Sequence, residues 1–117
     1  MKTNEAIGQQ GEVRIDRIDA LPANMQTKTV QRVPAGYVIS HSEKGHHHCI
    51  SDGEVMERVD NVPEGMQIFF AILSNPAEFI QDAANPHGGY SLPAGIYMFR
   101  VSREYNPFLE QARRVAD

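Results

Sequence analysis

Apolar and polar positions alternate along most of this chain, and the alternation begins only after residue 11. Residues 1–10 hold one sizeable apolar side chain besides Met1, namely Ile7, and are expected to form a flexible arm. Val13 and Ile15 then alternate with Glu12, Arg14 and Asp16, the period-two pattern of a strand buried on one face. The polar face of that strand, with Arg14, Asp16 and Arg17, predicts an outer position in its sheet. Leu21-Pro22 and Pro34-Ala35-Gly36 are breaks. From Tyr37 onward, short apolar runs alternate with turn sequences at 42–45, 52–53, 63–65, 75–76, 85–89 and 93–95. Turn signals about 8–12 residues apart predict a small antiparallel barrel or sandwich. Residues 66–73 are the most apolar stretch and predict a central strand, with residues 95–105 as another long one.

Helical signals are confined to two places. Asn106-Pro107 offers an N-cap followed by proline in the first turn, and Phe108, Leu109, Ala112, Val115 and Ala116 behind it form one apolar stripe. A C-terminal helix over 107–116 follows from this pattern. Asn75-Pro76-Ala77-Glu78 has capping-box spacing, while Phe79-Ile80 suits a strand equally well, so that segment stays open. The expected fold is all-β, a barrel or sandwich in one domain over 11–117, closed by the terminal helix.

Composition narrows the function classes. At 117 residues, 41% hydrophobic and 22% charged, the chain can bury a real core and is not of disordered type. Eleven Lys and Arg stand against fifteen Asp and Glu, for a net charge of −4, and no basic block exceeds Arg113-Arg114. A nucleic-acid partner is therefore not expected. No apolar run approaches the roughly 20 residues of a membrane span, and residues 1–10 lack the apolar centre of a signal peptide. A single cysteine, Cys49, leaves no intrachain disulfide framework and suits a reducing, cytoplasmic setting. Sheet edges need cover, which makes a homo-oligomer the expected assembly.

The chemistry concentrates in one place. His41, His46, His47 and His48 fall within eight residues, mid-chain and running on into Cys49-Ile50. A four-residue loop over 42–45 would set His41 against His46 and Ile39 against His48. Asp52-Gly53, a specific two-residue turn signal, would then set His48 against Glu57. These registers place His41, His46, His48 and Glu57 on one inward face, with His47 and Cys49 on the other. Imidazoles with a carboxylate at such spacing suit a divalent transition metal: zinc, iron, nickel, manganese or copper. His87, in Pro86-His87-Gly88-Gly89, is a further candidate ligand. The competing reading has His41 and Glu57 hydrogen-bonded at a sheet edge without metal. Cys49 reads as an incidental thiol.

Two resemblances accompany these residues. His46-His47-His48 with Glu54 or Glu57, and Pro93-Ala94-Gly95, resemble a loosened pair of cupin motifs, although Met98 stands where the second motif carries histidine. The cupin likeness implies a β-barrel with a bound metal. More of the chain is similar to a group of uncharacterised small proteins of bacteria and their phages. That likeness rests on Gly11-Glu12-Val13, Leu21-Pro22, Glu43-Lys44-Gly45-His46-His47-His48, His87, Leu92-Pro93-Ala94-Gly95-Ile96-Tyr97, Arg103-Glu104-Tyr105 and Arg113-Arg114-Val115-Ala116-Asp117. It implies a shared fold and a Gly-His-x-His element, with no assigned activity. Three functions follow as expectations. The first is a metal-binding β domain, catalytic only through an open metal position. The others are a structural or adaptor protein of a phage or mobile element, without metal or catalysis, and a small-ligand sensor.

Overall fold

A computed structural model of the chain describes residues 5–10, 12–41, 47–82 and 89–102. These contain eleven strands: β1 (Glu5–Gln10), β2 (Val13–Ile18), β3 (Thr27–Thr29), β4 (Arg32–Val33), β5 (Gly36–His41), β6 (His47–Ile50), β7 (Glu54–Arg58), β8 (Met66–Leu73), β9 (Ala77–Asp82), β10 (Tyr90–Leu92) and β11 (Gly95–Ser102). Among the described residues there is no helix, and so none long and apolar enough to cross a membrane.

The strands form two antiparallel sheets, of order β1-β2-β11-β8-β7-β3 and β10-β9-β6-β5-β4. The all-β expectation holds, with two open sheets and no closed barrel. The most apolar segment is β8, inside the larger sheet, where Gly95↔Leu73 through Ser102↔Met66 pair it with β11 without interruption. Between the sheets lies a core of Val13, Ile15, Phe69, Ala71, Tyr97 and Phe99 from one side and Ile39, Ile50, Phe79 and Leu92 from the other. Phe79 and Phe99 stack across it at 5.4 Å between ring centroids. The Tyr97 hydroxyl, at the core's edge, donates to the Pro93 carbonyl at 2.6 Å.

Three expectations change here. Residues 5–10 form a strand, β1, rather than an arm, and Ile7 packs on the core. With β1 outside it, β2 is no edge strand. Its polar position Asp16 is 1% exposed, because the Arg100 guanidinium donates to it at 2.6 Å and Arg14 at 3.3 Å. Finally, Asp52-Gly53 does turn the chain, with Gly53 at φ 116°, but it joins β6 in one sheet to β7 in the other. Of the two residues only Gly53 takes positive φ, so the turn lacks the type I′ backbone that would return the chain as a hairpin. The open segment around Phe79-Ile80 is strand β9. The helix expected over 107–116 lies outside the described residues.

Candidate functional site

Backbone geometry at the start of β5 sets the register of the histidine strands. Gly36 has φ 136°, and a Cβ there would overlap the Ile50 carbonyl oxygen, so β5 enters hard against β6. From this anchor Tyr37 pairs with Ile50 and Val38 with Cys49, the register read from the sequence. A bulge between Val38 and Ser40 then breaks it, and the partners become Ser40↔His48 and His41↔His47. The extra residue stacks Ile39 and Ser40, 1% and 2% exposed, over one position of β6. Beyond a bulge the parity of faces inverts, so His41 leaves the inward set and joins His47 on the outward face. The expected facing of His41 with His46 and of Ile39 with His48 is corrected accordingly.

His48 stays inward, in step with Ile50, and its ring stacks on Phe79 at 5.9 Å between centroids. Ser40, across from it, donates its hydroxyl proton to the Glu12 carboxylate. Burial pushes the His48 imidazole below its ordinary pKa, and the Glu12 charge pulls the other way without cancelling that. His48 Nδ1 is buried without a hydrogen-bond partner. The neutral ring is therefore the form the fold accepts. In the unfolded chain the ring titrates near 6.5, so between that pH and its lower folded value the unfolded state binds more protons. Stability should be complete above pH 6.5 and fall as the pH drops below it. Melting of chelator-treated protein between pH 7.5 and 5 checks this, and His48→Gln should flatten the slope.

On the outward face, the His41 and His47 rings meet at 4.6 Å between centroids, with planes at 89°. His47 is half-buried, and its Nδ1 is buried without a hydrogen-bond partner. Cys49 lies two residues further along the same face and is fully buried.

Glu57 does not oppose His48, because β6 and β7 lie in different sheets. It sits across from Phe69 and accepts from Gln67 Nε2 at 3.2 Å, with Lys28 Nζ at 3.7 Å. His41, exposed at the end of β5, and Glu57 do border one cleft of about 220 Å³, whose rim includes residues of both sheets. His46 and His87 lie outside the described residues. Among those described, no group of three or more His, Cys, Asp or Glu side chains is placed to hold a metal ion. Sequence reasoning passed over Glu12 and Ser40, whose contact joins positions 28 apart in the chain, and set His47 aside as outward.

Fold and site together define a small two-sheet β domain with facing histidines on one outward strand pair and a neutral histidine within. The chain belongs to a family described only as a domain of unknown function, DUF8820, whose model matches residues 9–102, from the end of β1 through β11. No curated protein and no solved structure matches it.

Proposed function

We propose that this domain binds a divalent transition metal through the histidine-bearing β5–β6 pair, with His41 and His47 as its protein ligands. The carrying observation is the 4.6 Å separation of two cross-strand imidazoles, one with a buried and unpartnered Nδ1. Rings bound through one nitrogen each at about 2.1 Å would have centroids about 4.5 Å apart at a right-angled coordination corner and about 5.2 Å apart at a tetrahedral one. The 4.6 Å spacing is within reach of both arrangements, and the general order of divalent-metal affinity for imidazole puts copper first. Two protein ligands leave open positions for water, the condition for Lewis-acid chemistry.

Calorimetric titration with copper, nickel and zinc, on protein purified without a metal column and stripped with chelator, tests the proposal. The expected affinity order is copper, nickel, zinc, weakening below about pH 6.5 as imidazoles protonate. His41→Gln with His47→Gln should weaken binding by about a hundredfold or more, beyond what loss of a supporting contact does. His48→Gln should leave binding unchanged. Equal loss from His48→Gln would return the site to the inward face, and no binding by the parent protein would favour the metal-free structural or adaptor reading.

A further inference from the structure

At one place in the larger sheet, polar residues stand on the face that packs the core. Val55↔Ala71 and Glu57↔Phe69 pair β7 with β8, so Glu57 shares the inward face of Phe69 and Ala71. Gln67, two residues before Phe69, lies on that face too, and Lys28, paired with Glu57 across β3 and β7, joins them. Setting such groups between two sheets costs stability that apolar residues at the same positions would not. Here the sheets leave the cleft of about 220 Å³, bounded at their edges by residues 28–31, which lead from β3 to β4. Val38 N–H donates to the Gln31 carbonyl at 2.9 Å and holds this connection against β5. The apolar part of the lining is Val30, half-buried, with Ile39 and Phe69 at the margin of the core.

We propose that this cleft binds a small zwitterion of the α-amino acid class, its ammonium on Glu57 and its carboxylate on Lys28. Glu57 is fixed: its side chain is 16% exposed, and one oxygen accepts from Gln67 Nε2 at 3.2 Å. Lys28 is held loosely. Its side chain is 61% exposed on a three-residue edge strand, and its Nζ stands 3.7 Å from the other carboxylate oxygen, too far for a hydrogen bond. A ligand ammonium can therefore take that oxygen while the flexible lysine turns to the ligand's carboxylate. A simple amine would meet the Lys28 charge, and a simple carboxylate the Glu57 charge. A molecule carrying both signs close together complements the pair. In an α-amino acid the nitrogen and the carboxylate carbon lie about 2.5 Å apart, a separation that suits neighbouring charges of this kind. The volume falls below the roughly 300–1,000 Å³ of sites for drug-sized ligands, so the occupant is of amino-acid size, with a short apolar side chain against Val30. Lys28, Glu57 and Gln67 are not in the proposed metal pair, and the two readings stand independently.

Titration of the full-length, chelator-stripped protein with L-valine, followed by amide chemical shifts, tests this. Metal is left out because an amino acid's own nitrogen and oxygen donors chelate copper. L-Valine should shift the amides of Lys28, Glu57 and Gln67 with a dissociation constant of about 1 mM or below. N-Acetyl-L-valine, which lacks the ammonium, and L-valinamide, which lacks the carboxylate, should each bind about tenfold or more weakly, the loss of one charge-assisted contact. Glu57→Gln should weaken L-valine binding by a similar factor. Lys28→Met, at an exposed position where folding is not at stake, should erase the preference for L-valine over L-valinamide. No shift at those amides under excess L-valine would overturn the proposal. So would L-valinamide binding the parent protein as tightly as L-valine, since the cleft would then be a site for cations alone.

Discussion

Phe79→Ala is expected to lower folding stability by about 4 kcal/mol, within the range for deleting a buried aromatic ring. Phe79 is fully buried and joins two rings, Phe99 at 5.4 Å and His48 at 5.9 Å. With Ile39, Ile50 and Leu92 it packs the smaller sheet on the larger one, and it also supports the inward histidine. In a domain of this size the melting temperature should fall by about 15–25 °C. Denaturant titration checks the free energy, provided the slope of the transition stays constant. The cavity should also admit water to His48, so its imidazole should move back toward its ordinary pKa. A free-energy change of less than about 1 kcal/mol would mean that the two sheets do not pack through this ring.

Gly36→Ala is expected to cost about 3 kcal/mol or more, by a different route. Alanine disfavours φ 136°, and the new methyl would overlap the Ile50 carbonyl, which belongs to backbone and cannot swing aside. Relief requires β5 to retreat from β6, which undoes Tyr37↔Ile50 and everything aligned from it, including His41↔His47. Amide exchange in residues 47–50 should quicken with the stability loss, and copper binding should weaken in parallel. Wild-type exchange at those amides would show that the close approach at Gly36 does not hold the pair together.

Local pattern carried the sequence reading as far as local physics reaches. Alternation in β2 and the apolar run of β8 reflect burial of one or both faces, and both were legible. The reading of faces in the histidine strands held at His48 and His47. It failed at His41, since a bulge at Ile39 leaves no compositional trace there. Asp52-Gly53 misled for a related reason: the dipeptide specifies a tight turn and says nothing of whether the strands on either side stay in one sheet. The polar alternation of β2 suggested an outer strand because solvent is the usual partner of Asp and Arg. Here Asp16 is enclosed by Arg100 from a strand 84 positions away, a pairing no window of sequence contains.

That distance governs the order in which the molecule can be made. In the six-stranded sheet the place between β2 and β8 is filled by β11, the last described strand. Until it has left the ribosome, β2 and β8 have no shared neighbour and the core lacks Tyr97, Phe99 and Val101. Pairings between such remote segments bear a large loop-closure cost, so formation of this sheet should be slow and late. A chain released early, before β11, would present the open flanks of β2 and β8 to other chains, and its fate would be association rather than a partly working domain.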